Sequence, residues 1–122
     1  MAVSSFRDLT VWQRSIELTL EIYRLTKAFP REELFGLTSQ LRRAAVSIAS
    51  NIAEGQSRGT TGEFIQFLGI ARGSNAEVQT QLVIARGLQL GEEASILRCE
   101  SLCAEVGKML NSLLKALKVP QP

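Results

Sequence analysis

Ser47-Ile48-Ala49-Ser50-Asn51-Ile52-Ala53-Glu54-Gly55 is the stretch whose reading decides the fold. At a helical advance of about 100° per residue, Leu41, Ala45, Ile48 and Ile52 fall in one apolar stripe, and Gln40, Ala44, Ser47, Asn51 and Glu54 fall in a second beside it. Polar groups set next to an apolar stripe are carried into an interface with it. Gly55, which can adopt the left-handed conformation, is expected to end this helix.

The surrounding sequence repeats the pattern. Upstream, Glu32 and Glu33 suit the positive end of a helix. The spacing of Leu34, Thr38, Leu41, Ala45, Ile48 and Ile52 then predicts a bundle-type helix over about 33–54, kept slim by Ala44, Ala45, Ala49 and Ala53. Downstream, Thr60-Thr61-Gly62-Glu63 fits a capping box for a helix over about 61–88. Its seam is Phe64, Leu68, Ala71, Asn75, Val78, Leu82 and Ala85, with Glu63, Gln66, Ile70, Ser74, Glu77 and Gln81 alongside. Gly69 and Gly73 each cost about 1 kcal/mol relative to alanine inside a helix, so the alanine-rich second helix is expected to approach them closely.

A first helix is expected over about 9–28, capped by Asp8 or Ser5 and stopped at Phe29-Pro30. A fourth is expected over about 92–118, with Ile96, Cys99, Cys103, Val106, Leu110, Leu113 and Leu117 as its seam, Lys115 and Lys118 at its negative end, and a short tail with Pro120 and Pro122. The reading is all-α: one domain, 1–122, folded as an antiparallel four-helix bundle. The first helix carries two apolar stripes, Leu9, Trp12, Ile16, Leu20 and Tyr23 on one side and Val11, Leu18, Ile22, Leu25 and Phe29 on another. One stripe is enough for the core of a monomer, so the second is assigned to an oligomer interface. For Trp12, Tyr23 and Phe29 the expectation is packing, in the core or between subunits.

Composition sets the outer bounds. A chain of 122 residues with 45% hydrophobic and 21% charged residues is an ordinary globular domain, and a net charge of +2 predicts no polyanionic partner by itself. The opening residues lack a signal-peptide core and no window is long and apolar enough for a membrane helix. A cytoplasmic protein with no membrane partner is expected. Cys99 and Cys103, four apart among apolar residues, read as core thiols, and two thiolates without further ligands make a poor zinc site. The chain has no histidine. That removes Ser-His-Asp and Cys-His pairs, the carboxylate-histidine sites of di-iron bundles, and the usual base near neutral pH. No metal or cofactor is expected.

Phe6-Arg7-Asp8-Leu9 with Val11-Trp12-Gln13, the Phe29-Pro30 stop, Glu33-Leu34-Phe35-Gly36-Leu37, Gln40-Leu41-Arg42-Arg43-Ala44-Ala45, the Ser47–Gly55 stretch and Gly73-Ser74 with Glu77 together resemble the 23S rRNA intervening-sequence protein family. The likeness runs from Phe6 to about Leu88; the fourth helix is similar only in kind. The resemblance implies a four-helix bundle that assembles into a ring of five subunits, in a family of small bacterial proteins, and it implies no known reaction. In architecture that family is similar to the accessory protein of diversity-generating retroelements, which works with a reverse transcriptase and nucleic acid.

Three readings of the polar line follow. Gln40, Ser47, Asn51, Glu54, Ser74, Glu77 and Gln81 form a hydrogen-bonded network that sets helix register; or Asn51, Glu54, Ser74 and Glu77 line a ligand or nucleotide site; or Glu54 and Glu77 act as a catalytic carboxylate pair. The first is preferred, and without histidine a non-enzymatic protein is expected. Arg42, Arg43, Arg58, Arg72 and Arg86 are candidate contacts to RNA or DNA, which a ring would repeat as a collar. The plainer reading makes them solvated or paired. The expected partners are thus the chain itself, with RNA, DNA or another protein beside it, and the expected role is a self-assembling scaffold or nucleic-acid accessory. The alternatives are a purely protein-binding module or a bundle that binds a small ligand.

Overall fold

The computed structural model describes residues 5–118, so the first four residues and the tail at Pro120 and Pro122 lie outside the described residues. The described residues form four helices, α1 (Thr10–Lys27), α2 (Leu37–Ser57), α3 (Thr61–Gly87) and α4 (Glu93–Lys118), with 3₁₀ turns at Phe6–Asp8 and Arg31–Glu33. Among the described residues there is no strand.

Local chemistry explains where the helices start. At α3 the Thr60 hydroxyl accepts from the Glu63 amide at 3.2 Å and donates to the Glu63 carboxylate at 2.9 Å, so the expected capping pair forms with the carboxylate on the hydroxyl. Ser5 caps the first 3₁₀ turn instead of α1, whose N-cap, Leu9, has no side-chain bond. α2 begins at Leu37 and not near residue 33. The chain first closes the 3₁₀ turn and bends at Gly36, and Glu33 reaches over to accept from the Leu37 amide at 3.2 Å. Leu34 consequently falls outside the helix and is exposed, which removes it from the predicted seam.

Gly55 does not end α2; the helix runs on to Ser57, and the left-handed glycines are Gly59 and Gly91. Gly55 is buried, and a Cβ there would stand 2.6 Å from the Phe67 Cβ and 3.2 Å from Phe64 Cδ1. It is the residue that admits α3 to α2. The sequence reading had given that role to Gly69 and Gly73, yet at both the missing Cβ faces open space. The core side of α3 is taken by Leu68, Ala71, Asn75, Val78, Leu82 and Ala85, and the two glycines lie on the other side.

α1 packs on α2 and α4, α3 packs on α2 and α4, and the backbones of the two diagonal pairs stay apart. Leu18, Ile22, Leu41, Ile48, Ile52, Leu68, Val78, Leu82, Ile96, Val106 and Leu110 meet in one core drawn from all four helices. Val11, Leu18, Ile22, Leu25 and Phe29 belong to that core, which corrects their assignment to an oligomer interface. The reason is that α1 has two neighbours and must bury an arc wide enough for both. Its other stripe is split: Leu9 and Trp12 pack against the edge of the core, Ile16 is half-buried, and Leu20 and Tyr23 are exposed.

Polar contacts tie the helices at several levels. Arg14 meets Glu105 at 2.8 Å and Arg98 meets Glu21 at 3.4 Å, so the partner on α4 falls in number as the residue on α1 rises. Asn75 donates to the Cys103 carbonyl at 3.0 Å, in space left free by Gly107. Arg86 clamps α3 to α4 through Glu100, at 2.6 and 2.8 Å, and Glu93 at 3.0 Å. Cys99 and Cys103 are buried free thiols whose pKa values burial pushes up to about 12, so both stay neutral.

Two predictions follow from this packing. Gly55→Ala forces its methyl into Phe67 and should lower the unfolding free energy by about 1–3 kcal/mol, read as a lower urea midpoint at unchanged m-value. The hydrogen bonds from Arg86 hold the Glu100 carboxyl below its ordinary range, so its contribution is present above the unfolded-state value and is lost as the pH falls through the folded one. Glu100→Gln, at a half-exposed pair, should therefore cost roughly 0.2–1 kcal/mol at neutral pH, a gap that closes in urea titrations repeated in acid.

Candidate binding surfaces

Ala44 is the smallest side chain in the middle of the polar line, and it opens a furrow between α2 and α3. The furrow has a volume of about 410 Å³ and is lined by Gln40, Arg43, Ala44 and Ser47 from α2 and Ser74, Glu77 and Gln81 from α3. Ser47 and Ser74 close one end with a bond of 2.9 Å between their hydroxyls. Asn51, one turn along α2, braces that end by donating to the Ser47 carbonyl at 2.8 Å and the Ser47 hydroxyl at 3.0 Å. At the other end Gln81 is nine-tenths buried, and its Oε1 has no hydrogen-bond partner. Arg43 and Glu77 are exposed at the mouth and make no ion pair or hydrogen bond among the described residues.

The structure therefore brings together Gln40, Ser47, Ser74, Glu77 and Gln81, with Asn51 beside them, and leaves Glu54 out. Glu54 pairs with Arg58 at 2.7 Å. Ten residues of α2, about 15 Å at 1.5 Å per residue, separate it from Ala44 at the centre of the furrow. Glu54 and Glu77 are not assembled as a pair.

The five candidate arginines are mostly engaged within the chain. Arg58 is held by Glu54 and by Glu63 at 3.2 Å, with its guanidinium 5.1 Å from the centre of the Phe67 ring. Arg86 is clamped to α4, and Arg72 donates to Asn111 at 3.2 Å. Arg42 donates to the Thr26 hydroxyl at 2.8 Å and lies over the Tyr23 ring at 4.5 Å. Of the five, Arg43 alone has its guanidinium free, so no collar of open arginines is present on the subunit.

Two apolar faces have no partner within the chain. On α3, Gly69, Gly73, Ala76, Thr80, Val83 and Gly87 recur at three- and four-residue steps along the side away from the core, with Gly62 two turns before them, flanked by exposed Ile70 and Ile84. The backbone at Gly62, Gly69, Gly73 and Gly87 is open to close approach. On another side, Tyr23, Leu34, Phe35 and Val46, together with Thr38, Ser39, Arg42, Arg43 and Ser47, line a recess of about 700 Å³, and Phe35 is 94% exposed. The sequence reading missed Phe35. The available signal was Gly36, a helix breaker set just ahead of Leu37, which leaves Leu34 and Phe35 on a turn with no core to enter.

Comparison with known proteins agrees with this architecture. The family model described as 23S rRNA-intervening sequence protein matches residues 7–112, reaching well into α4. Among solved structures, the chain is similar to a protein of unknown function from the S23 ribosomal protein family of Bacteroides thetaiotaomicron, with a TM-score of 0.78 and 25% identity, over 86% of this chain and 95% of that one. No curated protein matches.

Proposed function

The chain belongs to the 23S rRNA-intervening sequence protein family, and from that premise we propose that it is a non-enzymatic, cytoplasmic scaffold, an antiparallel four-helix bundle that assembles with itself into a ring. The observation that carries the reading is the outer face of α3, where open glycines alternate with exposed Val83, Ile70 and Ile84. An apolar, slim stripe of this kind lets a second helix or a projecting ring come close to the backbone, and in water it is stabilised by being covered. The Tyr23–Phe35–Val46 face offers the projecting group. Two unlike faces on one chain satisfy each other head to tail, the arrangement that closes into rings; five subunits is the number implied by the family resemblance.

The antiparallel course is supported by the cross-helix pairs of α1 with α4 and of α3 with α4, in which partner numbers fall along one helix as they rise along the other. The non-enzymatic part rests on the absence of histidine from the sequence and on the separation of Glu54 from Glu77. The two buried free thiols fit a reducing compartment, and no helix among the described residues is long and apolar enough to cross a membrane. A protein cargo is favoured over nucleic acid, because four of the five candidate arginines would have to leave partners they already hold.

Light scattering coupled to size-exclusion chromatography tests the reading. The unaltered protein is expected at the mass of about five chains. Val83→Glu combined with Ile84→Glu, both on the surface of the subunit, is expected to run as a single chain with its helical circular dichroism intact. A variant that keeps the full mass removes α3 from the interface, and an unaltered protein that is monomeric overturns self-assembly.

A further inference from the structure

We propose that the furrow between α2 and α3 binds a small organic zwitterion, an ω-guanidino or ω-amino acid, through acceptors on its α3 wall and donors on its α2 wall. Three features of the furrow point to a missing occupant. Its volume of about 410 Å³ lies within the range of small-ligand pockets and is many times that of one water. Gln81 Oε1, like Asn75 Oδ1 elsewhere in the chain, is buried without a donor, a condition that native proteins rarely leave uncompensated, and of the two only Gln81 lines the furrow. Arg43 and Glu77 stand at the mouth with no partner, on opposite walls.

The walls differ in chemistry. On α3, Glu77 and Gln81 are four residues apart and so neighbours on one face; Glu77 offers an exposed carboxylate to the N–H groups of a guanidinium or ammonium, and Gln81 Oε1 is a buried acceptor still without a donor. On α2, Arg43 offers a two-pronged donor for a carboxylate. The mutual bond between Ser47 and Ser74 uses one of their two hydroxyl protons, which leaves the other to give at that end. Seven residues of α3 separate Ser74 from Gln81, about 10 Å along the helix, enough for a four-carbon chain bearing a charge at each end.

The charges select the class. One cation and one anion make the site formally neutral, so a simple cation meets Arg43 and a simple anion meets Glu77 as like charges. A molecule that carries both charges satisfies both walls. A nucleotide fits less well, since none of the lining residues is aromatic and Glu77 opposes a phosphate. The proposal does not rest on self-assembly, although Arg43 and Ser47 also line the Tyr23–Phe35 recess.

The test is isothermal titration calorimetry of the full chain with 4-guanidinobutyrate, and with agmatine, which keeps the guanidinium and replaces the carboxylate by an ammonium. Saturable binding of 4-guanidinobutyrate is expected, with agmatine about tenfold weaker. Arg43→Gln, a surface change, should erase the difference between the two. Gln81→Leu, which removes the orphan carbonyl at similar size, should raise the melting temperature of the unliganded protein and weaken 4-guanidinobutyrate about tenfold. Absence of saturable heat, or affinity unchanged by Gln81→Leu, overturns the proposal. So does a Gln81→Leu variant of reduced assembled mass with no binding by the parent protein, which would make the furrow a contact between copies.

Discussion

The close approach of α2 and α3 is the constraint on which the rest of the molecule depends. α2 presents Ala44, Ala45, Ala49 and Gly55 to its neighbours, all buried, and at Gly55 the distance to the Phe67 Cβ leaves no room even for a methyl group. With the backbones this near, short polar side chains suffice to bridge them, and the Ser47–Ser74 pair does so directly. The same economy of side chain at Ala44 leaves the furrow open where Gln81 and Glu77 arrive from α3. Tight packing at one end of the seam and a void in its middle thus have one origin, small residues at helical spacing.

The remaining helices are tied differently. α1 and α4 meet through apolar packing and exposed ion pairs, Arg14 with Glu105 and Arg98 with Glu21, each of a kind worth about 0–1 kcal/mol. Such pairs contribute little to stability, but they single out one register among those that an apolar seam with regular spacing permits. Asn75 does similar work inside the core, where its amide donates to the Cys103 carbonyl and fixes the level of α3 against α4. Several charged groups thus hold helices in register, and two that make no such contact, Arg43 and Glu77, share one furrow.

Much of this was readable from residue order. The seams of α2, α3 and α4 were correct at Leu41, Ile48, Leu68, Val78, Ile96 and Val106, because a period of 3.6 marks a buried side wherever the neighbours are. The capping pair at Thr60 and Glu63 was visible for the same reason, as it involves residues three apart. Gly36 was underweighted: it set the start of α2 and so put Leu34 and Phe35 on the surface. At the furrow, the line from Gln40 to Gln81 was legible as a polar stripe, whereas the orphan Gln81 Oε1 and the diversion of Glu54 to Arg58 were not.

What the sequence by itself determined is the helical content, the positions of the four helices to within a few residues, the thiols in the core and the existence of polar stripes on α2 and α3, all consequences of local periodicity and capping. What only the tertiary structure decided is which of the two apolar stripes of α1 is buried, which glycine admits a neighbour, which arginine stays free and where a void remains. Those properties belong to pairs of helices. A stripe is core or surface according to how many neighbours its helix has and on which sides, and a glycine is a contact or a gap according to what stands opposite it. Neither is encoded at the position itself.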